Sequence, residues 1–216
     1  MNTVSFSSSS IQFLIDLTQN NNREWFTKHK DEYLIAQENA GEFIDNLIVL
    51  MNKHDQLVNE SGKKSLFRIY KDVRFSKDKT PYKSHLHMMW TMQVEVAEAP
   101  VFFFGIGVDS VTVGAGRMGF EKPMLENWRK FVDLDTKRVL GIIDGVRALG
   151  FDLREPALKR VPSGFAADHA AGDLLRMKGC VATKDIGVPV DFEPALLAVF
   201  REVAPLNALL LQIAEA

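Results

Sequence analysis

The chain of 216 residues has a single cysteine, Cys180, so no intrachain disulfide can form and nothing in it calls for an oxidising compartment. It also lacks a surplus of charge. Its 26 Lys and Arg face 28 Asp and Glu, for a formal net charge of -2. That excludes a protein whose whole surface grips nucleic acid or an anionic membrane, though not a local basic site. No uninterrupted apolar run approaches the roughly 18–20 residues of a membrane span, so no membrane contact is expected. The opening Met-Asn-Thr-Val-Ser-Phe and its four serines show neither a basic nor an apolar leader region, and a cytoplasmic location is expected. Internal repeats, low-complexity tracts and long linkers are missing too, which leaves one domain over 1–216 as the expectation.

What is present divides into three. Residues 1–60 read as helical: Ser7 to Ser10 offer N-caps for a short helix carrying Ile11, Leu14 and Leu17. Asn22 caps a longer one with its apolar stripe at Phe26, Tyr33, Ala36, Ala40, Ile44, Leu47 and Met51, despite Gly41. Residues 61–118 read mainly as antiparallel sheet, with strands at 66–76, 86–96, 101–107 and 111–116 and a hairpin turn in "VDSV" at 108–111. Residues 119–216 return to the helical period through Leu125, Trp128 and Val132, then Val139, Ile143, Val146 and Leu149, with Gly150 as a C-cap. The loop "RVPSGFAADHAAGD" is expected to lead into a helix capped by Asp168 and ended at Gly179, followed by a strand at 180–186. Pro205 should kink or split the last helix. Helices, then strands, then helices make the fold class α+β: a central antiparallel sheet flanked by N-terminal and C-terminal helices.

Charge is concentrated in "FRIYKDVRFSKDKTPYKSH", residues 67–85. From 63 to 85 eight basic residues face two acidic ones, a surplus of six, so with a net charge of -2 the rest of the chain carries -8. On a strand, Phe67, Ile69, Lys71, Val73 and Phe75 would form a buried face and Arg68, Tyr70, Asp72 and Arg74 the opposite one. Paired arginines form a forked donor surface that fits a phosphate or carboxylate, and Lys79, Lys83 and His85 follow in a Pro-containing loop. Three readings arise. In the first, a small phosphorylated or carboxylated anion is bound by Arg68, Tyr70, Arg74, Lys79 and Lys83, with Asp72 holding the arginines and Tyr82 or His85 as proton donor. In the second, the segment contacts nucleic acid, with Tyr70 or Tyr82 stacking on bases. In the third, an internal Arg–Asp–Lys network fixes strand register and binds nothing.

The stretch "LFRIYKDVRFSKDKTPYKSH" resembles the signature of a microbial family known as domain of unknown function 2461. "NNREWF" at 21–26 is similar to that family's N-terminal motif, and "LKRVPSGFAADHAAGDLLRMK" at 158–178 to its C-terminal one. The three lie in family order over nearly the whole chain. The resemblance implies no activity, since the family has none established, but it brings Arg160, His169 and Lys178 forward as residues that close a ligand site. "GAGRMGF" departs from the family's usual Trp-Met-Pro run at that place.

Two further patterns are weaker. Gly114, Gly116 and Gly119 spell G-x-G-x-x-G, but a dinucleotide site needs a parallel βαβ unit, and turn or bulge glycines fit an antiparallel sheet better. His85-x-His87 could begin a metal site with Asp72, Asp168 or His169 as third ligand. The nearby lysines repel a cation, so neither metal nor cofactor is expected. Cys180 reads as a small buried hydrophobe.

Overall fold

The computed structural model describes residues 6–53, 61–92 and 96–216. Among these lie eight helices: α1 (Ser8–Gln19), α2 (Arg23–Lys28), α3 (Lys30–Asn52), α4 (Gly62–Ser65), α5 (Lys122–Leu134), α6 (Thr136–Ala148), α7 (Gly172–Leu175) and α8 (Phe192–Ala214). Five strands, β1 (Leu86–Thr91), β2 (Val101–Ile106), β3 (Val111–Arg117), β4 (Asp152–Leu153) and β5 (Cys180–Asp185), form one antiparallel sheet in the order β1-β2-β3-β5-β4. The fold is α+β. The chain divides into two compact units, and the division runs through β1, β2, β3, β5 and α8 rather than between elements.

The first unit comprises Met1–Trp90, Phe103–Val113 and Asp185–Leu197. Ser7 caps α1 by accepting the Ser10 N–H, and Asn22 caps α2 by accepting the Trp25 N–H, as the sequence suggests. The long helix expected from Asn22 is broken at His29 into α2 and α3. α3 buries Tyr33, Ala36, Ala40, Ile44, Leu47 and Met51 at helical spacing. The close approach here requires glycine at 62: a Cβ on Gly62 would stand 1.9 Å from the Gly41 carbonyl oxygen, whereas one on Gly41 would meet nothing nearer than 3.8 Å. The turn at 108–111 forms with the Gly107 N–H donating to the Ser110 carbonyl at 3.0 Å.

The strand expected at 66–76 does not form. Only two isolated bridges, Leu66 with Met88 and Tyr70 with Tyr82, tie the segment into a loose hairpin. Of the expected core face only Ile69 is buried; Phe67 and Phe75 are exposed. The physical reason lies in the aspartates. Asp72 accepts the Arg74 N–H and Asp78 accepts the Thr80 N–H, turning the backbone away from a ladder. The strand expected at 86–96 is β1 and ends at Thr91, and residues 93–95 lie outside the described residues.

The second unit comprises Thr91–Phe102, Gly114–Lys184 and Ala198–Ala216. Trp128, Val132, Val139, Ile143 and Val146 are buried, and Gly150 takes a positive φ of 87° just past α6. Met124 is buried in place of the expected Leu125, and Leu149 is exposed. The antiparallel sheet removes the dinucleotide reading of the three glycines. In α8, Pro205 does not split the helix, because Val203 and Leu206 on either side of it are buried. Contrary to expectation, α8 is long and apolar enough to cross a membrane, with a hydropathy of 1.5. Its Leu206, Leu210 and Ile213 are fully buried, and Asn207 donates to the Val101 carbonyl at 3.1 Å, the pattern of a core helix.

Candidate functional site

The root of the 66–83 hairpin is fixed by the N-terminal motif. Asn21 accepts the Tyr82 N–H at 3.1 Å and donates to its carbonyl at 3.0 Å, closing both backbone groups of one residue. The Phe26 ring stacks on Tyr82 at 4.0 Å and 15°, with Tyr70 a further 5.4 Å from Tyr82. Burial raises the Tyr82 phenol above the ordinary tyrosine range, with Tyr70 adding to the effect, so it stays protonated at neutral pH.

Beyond this root most of the cations are already paired. Arg74 grips Asp72 through two bonds, Nε to Oδ1 at 3.0 Å and Nη2 to Oδ2 at 2.7 Å, and that grip lowers the Asp72 pKa. Lys71 Nζ donates to Asp78 and Thr80, each at 2.8 Å, and holds the Asp78 carboxyl well below the usual range. Lys79 Nζ donates to the Val73 carbonyl at 3.0 Å. Lys83 Nζ lies 5.7 Å from the Phe67 ring centroid. Arg68 is exposed and forms no hydrogen bond or ion pair among the described residues; its charge contributes to lowering Asp72. The two arginines therefore do not converge on a shared anion: Arg74 is committed to Asp72. The Arg74–Asp72 pair stands in water, where such pairs add little. Arg74→Ala is expected to leave the melting temperature unchanged in a thermal scan.

His85 and His87 have ring centroids 6.2 Å apart and open, with Phe103, Gly105, Ser110 and Thr112, onto a cavity of about 270 Å³. Desolvation, with Lys83 and Lys71 nearby, lowers the His85 pKa below the usual histidine value; desolvation and His85 do the same for His87. Both imidazoles are therefore neutral at pH 7 and suit an acceptor or base role more than that of a donor. Among the described residues no group of three or more His, Cys, Asp or Glu stands ready to hold a metal.

The C-terminal motif builds a larger cavity, about 650 Å³, within the second unit. Arg147, Lys159, Arg160 and Arg176 line it against two carboxylates, Asp168 and Asp173. α7 is a single turn beginning after Ala171, so Asp168 does not cap it but sits exposed on the cavity wall. The cause is His169, whose Nδ1 accepts the Ala171 N–H at 3.0 Å, while its carbonyl accepts Gly172 N–H at 2.8 Å. Since Nδ1 is an acceptor, the neutral ring carries its proton on Nε2, which lies 3.3 Å from Asp133 Oδ1. Nδ1 is held by the backbone, so His169 braces the rim; the carboxylate beside its Nε2 is Asp133 rather than the adjacent Asp168.

The floor is anchored on α5. The Trp128 indole N–H donates to the Leu174 carbonyl at 2.9 Å and Arg129 to Leu175 at 3.4 Å, satisfying the last carbonyls of α7. Arg176 pairs with Asp173 and reaches the carbonyls of Leu158 and Lys159 at 3.5 Å each. Arg147 lies 3.4 Å from Asp144. Lys159 and Arg160 make no side-chain hydrogen bond or ion pair among the described residues and remain available to a ligand. Lys178 is exposed and does not line the cavity; its carbonyl accepts the Phe120 N–H.

Arg147, Lys159 and Arg176 escaped the reading of the sequence. Arg147 lies in the last turn of a helix that reads as amphipathic core support, and Lys159 sits beside Arg160 in a segment where only the family motif drew notice. A family model described as conserved hypothetical protein DUF2461 matches residues 9–208. The chain belongs to the DUF2461 family. No curated protein matches it in sequence. All three segments singled out in the sequence fall inside the DUF2461 match, so the cavity and the hairpin are both parts of the family domain.

Proposed function

We propose that this protein is a cytoplasmic anion-binding protein whose C-terminal cleft takes a small phosphorylated or carboxylated ligand. The observation that carries the reading is the cleft's lining, in which four cationic side chains face two carboxylates and two of the cations, Lys159 and Arg160, have no side-chain hydrogen bond or ion pair among the described residues. Its volume of about 650 Å³ falls in the range of small-molecule sites. Arg160 supplies a forked donor for a tetrahedral or planar anion, and Lys159 a mobile point charge beside it. Arg176 and His169 hold the walls, so the site is built before the ligand arrives.

Calorimetric titration with inorganic phosphate, pyrophosphate and citrate tests this. Saturable binding of at least one of them is expected, weakened about ten- to a hundredfold in Arg160→Ala, since bonds to charged groups are worth roughly 1.5–3 kcal/mol. Binding that survives Arg160→Ala and Lys159→Ala together would place the anion elsewhere and overturn the proposal.

A further inference from the structure

The hairpin holds three aromatic rings out to solvent: Phe67 at 41% exposure, Tyr70 at 49% and Phe75 at 95%. Arg68, Lys71 and Arg74 lie between them in the chain and Lys77, Lys79 and Lys83 follow, so from 67 to 83 six basic side chains oppose two acidic ones. Two of the rings carry a cation of their own, with the Arg74 guanidinium 5.9 Å from the Phe75 centroid and Lys83 Nζ 5.7 Å from that of Phe67. We propose that this hairpin binds single-stranded nucleic acid, its rings stacking on bases while Arg68, Lys77 and Lys83, which hold no ion pair among the described residues, meet the phosphates.

Three features favour that partner. The loop is ordered in advance: Lys71, Asp78 and Thr80 are joined by bonds of 2.8–2.9 Å and Lys79 is tied to the Val73 carbonyl, so Phe75 is displayed rather than folded inward. Little ordering entropy remains to be lost on binding. A ring beside a free cation, as Phe67 beside Lys83 and Phe75 two residues from Lys77, matches one nucleotide, base against the π-face and phosphate against the charge, and stacking of this kind is tolerant of sequence. The rings are also strung along the segment, with Phe67 and Tyr70 set back from Phe75, Asp72 between them and Asp78 just beyond. A membrane-inserting tip would cluster its apolar side chains and exclude carboxylates. Double-stranded nucleic acid hides the base faces that the rings need. Because the remainder of the chain is acidic, the contact is confined to a few phosphates.

Fluorescence anisotropy with a labelled oligothymidylate of about twelve nucleotides, in about 50 mM salt, tests the proposal. Saturable binding is expected, with a duplex of equal length bound at least about tenfold more weakly. Phe75→Ala should weaken oligonucleotide binding by about 5- to 100-fold, the loss of one stacked base. Lys77→Ala should reduce the slope of log affinity against log salt by about 0.7, the loss of one single-strand phosphate contact. Both side chains are exposed, so an unchanged thermal melt shows that each variant is folded. Equal affinity for single and double strands, an unaltered Phe75→Ala, no binding at all, or capture by anionic phosphatidylglycerol vesicles without binding of the oligonucleotide would each overturn it.

Discussion

Trp128→Ala is expected to cost about 3–5 kcal/mol of stability, a large part of what a domain of this size possesses. The side chain is fully buried, with Phe120 against it at 5.4 Å. Its removal leaves a cavity and also deprives the buried Leu174 carbonyl of its donor at 2.9 Å. Trp128→Phe separates the two effects: the ring volume is largely kept while the hydrogen bond is lost, and a cost of about 1–3 kcal/mol is expected. Denaturant unfolding of both variants measures this. The proposed site depends on the same contact, because Leu174 lines the cleft, so phosphate binding should fall in Trp128→Phe even where the protein remains folded. A Trp128→Ala variant as stable as the wild type would show that α7 is not docked on α5 in this way.

Gly116→Ala should be about as damaging, at roughly 3 kcal/mol or more. Gly116 has φ of 128°, and a Cβ there would lie 2.1 Å from the Cys180 carbonyl oxygen and 2.8 Å from Val181 Cα. Both obstacles are backbone, so relief means moving β3 away from β5. Gly105→Ala is the control: its nearest neighbour would be 3.7 Å away, an ordinary contact, and near-neutral stability is expected. Thermal melts of the two should differ by many degrees. If they match, the close approach of β3 and β5 at Gly116 is not as described.

The helices were largely legible because their stripes obey a single period and their caps are local. Ser7, Asn22 and Gly150 do what their residue types suggest. The segment from Phe67 to Phe75 was misleading for a definite reason: β-branched and aromatic residues alternate there, yet Asp72 and Asp78 compete for the backbone N–H groups a ladder would need. Alternation alone does not register that competition. The hairpin cations were visible as charge, but their local pairing was not, since Lys71 with Asp78 and Lys79 with Val73 depend on the loop's path. In the cleft, Arg160 and His169 could be named from the motif. Arg147 and Arg176 join them only when α6 and the chain after α7 come together, and Asp133 becomes the partner of His169 by the same folding. The role of Trp128 was half visible: its burial follows from helical spacing, whereas its bond to Leu174 is tertiary.

The claim that the C-terminal cleft is the anion site is tested most directly by following backbone amide resonances of the ¹⁵N-labelled protein as inorganic phosphate is added. Saturable shifts are expected, concentrated in residues 159–161 and 167–174 and at Arg147 and Arg176, which line the cleft. Shifts confined to residues 68–85, or none that saturate, would contradict it.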